Sequence, residues 1–514
     1  MPSRYRTSRR TLAAALLTVV PLVLTACGGS SQEGASSAKN ELRFGGTVIS
    51  TLDPYLTGAY QQQFTTPLYE SLLGRDAAGE LIPGLATEWK LSPDGKTFDV
   101  TLHSGVKFQD GAPLTADAVK KSIERGKTLK GSQVATPLKV VDSVEAVDDT
   151  HARFHLSGPP GAIGNILASE AGMIISPNAL NNPDLGSKPD GTGAYTLKSK
   201  TDAELVYTAW DGYWNKAAVK NSGLHYFQQQ DSTTRFRGLA SGQLDLMGAD
   251  GNQVAQAKSQ GMAVYQGEST NLVGLLLNPK AVPQFGNPLV RQAIMRALDR
   301  KAISDNSALA GACTPTVQPF PAGYWAHVNA LDNDPSMNLD IAAAKDLLTQ
   351  AGYPNGFSFK LTTTAFSAFK ALVEIVQAEL KQIGLDVKIE ILDTNTFITT
   401  RAQGKLDAGL TQYATGRPDP SAFLRDYYMP GGVYNYANVE YPGAADLLAK
   451  SLASTDTKVR SGPTQDFVSL VTKAGPTLLP MCSLKQTYLA TTKVSGFNTT
   501  LLQEYDWRGI SVSN

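Results

Sequence analysis

Cysteine and histidine are scarce in this chain of 514 residues, which holds three of the first and five of the second. With no CxxC pair and no HExxH helix, a zinc centre has no ligand frame to build on, and no metal site is expected. His151 and His155 sit on one face of an alternating stretch, but no further ligand stands near, so they read as partly solvated strand surface. An excess of either charge is also missing. Basic and acidic side chains number 46 each, which leaves no footprint for nucleic acid. The GxSxG nucleophile elbow is absent. Gly-Lys-Thr at 95–97 and 126–128 lacks the earlier glycine of a P-loop, and Gly191-Thr-Gly193 lacks the third glycine of a dinucleotide fingerprint. No catalytic residue and no cofactor are therefore expected. Long apolar runs are missing as well: the one from Leu12 to Leu24 is short of the roughly 20 residues that span a bilayer.

That short run is informative in its setting. Arg4, Arg6, Arg9 and Arg10 precede it and Leu24-Thr25-Ala26-Cys27 closes it, the order of a secretory signal, here residues 1–26. The LTAC ending resembles the bacterial lipobox, in which the cysteine takes a diacylglycerol. Cys27 is thus the expected lipid anchor, holding the protein on the extracytoplasmic face of the cell membrane. Ser8-Arg9-Arg10-Thr11-Leu12 also looks like a twin-arginine motif, and both export routes stay open. Residues 27–40 read as a flexible Gly/Ser-rich tether. Loss of the signal removes four arginines and no acids, leaving 42 basic against 46 acidic side chains. About 475 residues then remain, more than one core usually supports, so two or three domains are expected. Cys313 and Cys482 are the other two cysteines. In an oxidising compartment one disulfide is the natural expectation, with two buried thiols as the alternative.

The rest reads as mixed α/β. Glu41 to Ile49 is strand-like. Trp89–Leu91 and Thr97–Leu102 flank a Pro-Asp-Gly turn and predict a hairpin. Leu114 to Arg125 predicts a helix capped by Thr115, with Val119 and Ile123 on one face. Two strands follow within 140–156. Asn287-Pro288 opens a further helix, and Ile341 to Ala351 another, stopped by Gly352. Phe357–Thr363, a striped helix through Phe369, Leu372, Val376, Leu380 and Ile383, and the alternating Leu385, Val387, Ile389 and Ile391 together predict a βαβ unit.

In order along the chain stand LYESLLGRDAAGELIPGLATEWKLSPDGKTF from Leu68 and LHSGVKFQDGAPLTADAVKKSIER from Leu102. Then come GTGAYTL from Gly191, Asp211-Gly-Tyr-Trp214, LVRQAIMRALDR from Leu289, DLLTQAGYPNGF from Asp346 and Arg417-Pro-Asp-Pro-Ser-Ala-Phe-Leu424. These motifs resemble the extracytoplasmic solute-binding proteins of ABC importers, in the oligopeptide, dipeptide and nickel-binding family 5. The resemblance implies a two-lobed periplasmic-binding-protein fold with an extra domain on the first lobe. Mapped here, lobe 1 is 41–74, 189–270 and 485–514, the extra domain 75–188, and lobe 2 271–484, with hinges near 269–274 and 479–485. It also implies a monomer that captures an oligopeptide or other small polar solute and passes it to membrane permease subunits, without enzymatic activity. A sensor lipoprotein of the same fold acting on a partner protein is the second reading, and an extracellular hydrolase the third.

Peptide-binding relatives place an aspartate shortly before an Asp/Glu-Pro pair to hold the ligand's ammonium. Aligning that pair on Asp419-Pro420 puts Gly416 at the aspartate's place and Tyr413 where tryptophan is common. An unpaired ammonium is costly to bury, so the alignment predicts discrimination against ordinary free-amine peptides, with Arg417 favouring an anionic or hydroxyl-rich solute. The alternative is that Asp419 itself supplies the anchor. Tyr60, Tyr428, Tyr434 and Tyr436 are the further expected ring contacts, with Asn271 at the hinge and Asn435 among the tyrosines.

Overall fold

The computed structural model describes residues 40–47, 49–57, 61–306, 309 and 311–513; Cys27, the tether before residue 40 and Tyr60 lie outside them. Two long antiparallel strands, Ala263–Leu277 and Leu478–Ala490, form the middle of a mixed sheet of 11 strands. Outward from the second run Leu246–Gly248, Glu41–Gly46, Gly223–Gln228, Glu204–Ala209 and Tyr195–Lys200, the lobe 1 half. Outward from the first run Ala408–Ala414, Ser358–Thr364 and Asp386–Leu392, the lobe 2 half. The two segments expected to be crossings, 269–274 and 479–485, are parts of these two paired strands. Their register slips between Gly267 and Asn271 and again between Val273 and Gly274, and such irregularities bend a strand.

Residues 86–156 build a second, four-stranded antiparallel sheet from the predicted hairpin, Ala86–Leu91 with Thr97–Leu102, and from His151–Leu156 and Val141–Ala146. Helix Ala116–Thr128 packs on it. The Thr115 hydroxyl accepts from the Ala118 N–H as its cap, and Val119 and Ile123 are fully buried. On this sheet the His151 ring meets Asp148 and His155 meets Glu145, both at the surface.

In lobe 2 the Asn287 side chain caps Pro288–Ala297. Strand Ser358–Thr364, helix Ser367–Lys381 and strand Asp386–Leu392 form the βαβ unit with parallel pairing. Leu372, Val376 and Leu380 are fully buried, and burying each such side chain contributes about 1.5–3 kcal/mol. Ile391 departs from its expected core place and is 47% exposed, because its strand is the outermost of the sheet. A disulfide joins Cys313 to Cys482, with Cα atoms 5.6 Å apart, and ties the short strand Cys313–Pro315 to the long strand it pairs with. Gly191-Thr-Gly193 is a packing feature: a Cβ on Gly193 would lie 2.4 Å from the Pro67 carbonyl oxygen.

Candidate functional site at the lobe junction

Strand Ala408–Ala414 pairs with the lobe 2 end of Ala263–Leu277, placing Ala414 beside Asn271. The chain then leaves the sheet as the loop 415–419 before helix Pro420–Tyr428. The Thr415 N–H and hydroxyl both bond the Thr270 carbonyl, at 2.8 and 2.9 Å. This fixes the loop where both lobes meet. The Asn271 side chain donates to Gln503, 3.1 Å away.

Arg417 reaches across the junction, donating to the Gln62 side chain and, at 2.7 Å, to the Glu504 carboxylate. Arg75 donates to the same Glu504 oxygen and, at 2.9 Å, to the Pro418 carbonyl. One carboxylate therefore ties two buried arginines, one from each side. The Arg417 charge expected to meet a solute is already paired, because Glu504 from the C-terminal segment folds back against it.

Asp419 is committed elsewhere. It receives a two-pronged pair from Arg460 with both contacts at 2.8 Å, bonds from the Ser421 N–H and hydroxyl, and one from Asn165 at 2.7 Å. Burial alone would raise its carboxyl, but Arg460 and Ser421 outweigh that and hold it below the ordinary value. A carboxylate with both oxygens saturated cannot also anchor an ammonium, which removes the alternative role for Asp419. Arg460 in turn donates to the Gly161 carbonyl at 2.6 Å, so Asn165 and Gly161 are held to lobe 2 through this pair.

Gly416 is buried, and a Cβ there would lie 2.6 Å from Thr270 Cγ2 and 2.9 Å from Leu502 Cδ2. The absence of a side chain lets the loop close on Thr270, a packing reason for glycine that the alignment did not reveal. The tyrosines divide. Tyr428 is interior, its hydroxyl on the Leu478 carbonyl. Asn435 clamps its own loop through Val439. Neither lines an opening, since both polar ends are consumed by nearby backbone. Tyr413, Tyr434 and Tyr436 come together around Arg401, and burial pushes the Tyr413 phenol up to about 12.

A cavity of about 560 Å³ borders the junction on the lobe 1 side, touching Gln62, Arg75 and Glu504. Deeper in it Glu70 accepts from Tyr213 and Trp214 at 2.6 and 2.9 Å, and burial raises its carboxyl despite those donors. Sequence reasoning missed Gln62, Arg75, Asn165, Arg401, Arg460 and Glu504. The one available signal was the assignment of 485–514 to lobe 1, which places an acid of that segment opposite Arg417. Among the described residues no group of three or more metal-ligating side chains occurs, and no helix is long and apolar enough to cross a membrane.

The model of "Bacterial extracellular solute-binding proteins, family 5 Middle" matches residues 80–435. The chain belongs to this family. Among family 5 relatives, the glutathione-binding protein GsiB of Pectobacterium atrosepticum is 29% identical over 464 residues, 86% of this chain and 88% of that protein. The solved structure of HbpA2 from Haemophilus parasuis superposes with a TM-score of 0.80 at 26% identity, covering 92% of this chain and all of its own. The periplasmic binding protein DppA of Helicobacter pylori, in complex with the peptide STSA, gives 0.76 at 25% identity, covering 92% and 98%. The family 5 fold is two-lobed, and its members are extracytoplasmic binding proteins for solutes of ABC importers.

Proposed function

We propose that this chain is a lipid-anchored solute receptor that closes its two lobes on a small anionic, peptide-like molecule and delivers it to an ABC permease, without chemical conversion. The loop 415–419 carries the reading. It stands at the strand crossing and sends charged side chains to partners on both sides of the junction. Contacts of that kind form only when the lobes are together, so a solute touching both halves stabilises the closed form. The division into 41–74, 189–270 and 485–514, then 75–188, then 271–484 agrees with the split of the main sheet about its two long strands and with the separate four-stranded sheet. The names of the relatives supply the solute class, glutathione and short peptides. Gly416 and the saturated Asp419 leave this loop without a carboxylate for the solute's ammonium; glutathione shares that ammonium with ordinary dipeptides, and its second carboxylate is the group that would set it apart at an anion-preferring site. The LTAC ending supports anchoring through Cys27.

Calorimetry with glutathione and a set of di- to pentapeptides tests this. Micromolar or tighter glutathione binding with unchanged recovered ligand is the expected result. Turnover of the ligand, or tight binding of neutral dipeptides with no response to glutathione, would contradict it.

A further inference from the structure

Beyond the arginines paired with Asp419 and Glu504, further buried arginines are held by backbone carbonyls. Arg291 donates to the carbonyls of Gly475, Phe285 and Gly286, and Arg235 to those of Gly248, Gln229 and Gln230. Their charge is spread over backbone oxygens, and their work is to hold loops. Arg401, at the end of helix Thr394–Ala402, differs. Its guanidinium carbon lies 4.8 Å over the Tyr434 ring, 5.5 Å over Tyr413 and 5.9 Å over Phe397. Tyr427 stacks on Tyr434 at 4.7 Å, and the Tyr436 hydroxyl fixes the Arg401 carbonyl at 2.7 Å. Its guanidinium makes a long hydrogen bond to the Tyr434 hydroxyl, 3.4 Å, and interacts with the Tyr413 phenol, while its Nε is buried with no partner. Ring faces attract a cation but take none of its directional N–H bonds. The fork is therefore oriented by aromatic rings and left with donors to spare, which is the arrangement that recognises a planar carboxylate with two parallel bonds.

We infer that Arg401, caged by Tyr413, Tyr434 and Phe397, is the lobe 2 receptor for a carboxylate of the bound solute. This rests on the solute-binding reading given above, and it moves the anionic subsite from Arg417, which Glu504 and Gln62 already engage, to a position the loop motif does not mark. Tyr413 links the two places: its ring contacts Arg401, and it precedes Gly416 by three residues on the strand that feeds the junction loop.

The test uses the full mature protein with Arg401→Gln and Arg401→Lys, titrated with glutathione and with its diethyl ester, alongside thermal unfolding. Wild type should prefer the acid over the ester by about 100-fold, the range expected for truncating one partner of a desolvated charge pair. Arg401→Gln should lose that preference at an unchanged melting temperature, and Arg401→Lys should fall between. A Gln variant that holds glutathione within about threefold of wild type overturns the inference. If wild type binds no glutathione, the solute assignment fails on its own, and the cage is judged by acetate. A saturable shift of the Arg401 guanidinium ¹⁵N signal on acetate titration, seen also with Lys at 401 only as a weaker thermal shift, supports it, and no shift overturns it.

Discussion

Two residues apart on one loop, Asp419 and Arg417 make opposite kinds of contact. The Asp419–Arg460 pair is 1% exposed on both sides, and most of its bonds stay within lobe 2. Arg417 is 7% exposed and its partner Glu504 16%, and every contact described for Arg417 crosses the junction. The first is saturated and sealed, so it behaves as a cornerstone that shapes the loop. The second shares one carboxylate between two arginines at a less sealed site, and under the proposed function it is the latch that parts when the lobes part. Burial and saturation, more than residue type, separate structural charge from working charge here.

The cornerstone should give the largest effect. Asp419→Asn leaves Arg460 buried without its counter-ion and should destabilise lobe 2 by about 3–5 kcal/mol, read by urea denaturation. Because the Asp419 carboxyl is held below its ordinary value, its stabilisation is complete above the unfolded pKa and is lost as pH falls through the folded one. The wild-type advantage over Asp419→Asn should therefore vanish in strong acid. A loss under 1 kcal/mol at neutral pH would place this pair with the latch.

Gly416→Asp, the change that would restore a peptide-type aspartate, should instead oppose closure. Its Cβ meets Thr270 Cβ at 2.8 Å, and overpacking of that order costs about 1–3 kcal/mol. Weaker glutathione binding with no gain for free-amine peptides is the expected calorimetric result, and a gain would show that the loop can re-seat.

Glu379 offers a buried acid that is neither cornerstone nor latch. Burial pushes its carboxyl up to about 8 against the pull of the Asp299 backbone N–H and of Arg300, and one of its oxygens has no partner. A raised folded pKa contributes stability that is full below the unfolded value near 4.5 and is lost as pH climbs through 8. Glu379→Gln should flatten that decline, an effect on the order of 1–2 kcal/mol across the window, seen by denaturation at pH 5 and pH 9. Parallel declines in both proteins would assign the pH dependence to other groups.

Much of the architecture was legible because it rests on local rules. Thr115 and Asn287 cap helices where the sequence puts them, and the stripe from Leu372 to Leu380 fixes the βαβ unit. The site was legible only as an address. The motif around Asp419-Pro420 locates the loop, but which charges are free depends on residues far away in sequence: Arg460 and Asn165 for Asp419, Glu504 and Gln62 for Arg417. No periodicity encodes those meetings. The tyrosines show the same limit, since Tyr428 and Tyr434 look alike in the chain, yet one hydroxyl donates to the Leu478 carbonyl and the other accepts from Arg401.

The central claim is that the lobes close on a solute and that Arg417–Glu504 latches them. Spin labels at Lys130→Cys and Lys345→Cys, exposed positions on opposite sides of the junction, allow pulsed dipolar distances to be measured with and without saturating glutathione. Wild type should shift to one short distance with glutathione, while Arg417→Gln should retain a long-distance population at the same ligand occupancy. A single unchanged distance in both proteins, with and without ligand, would contradict the account.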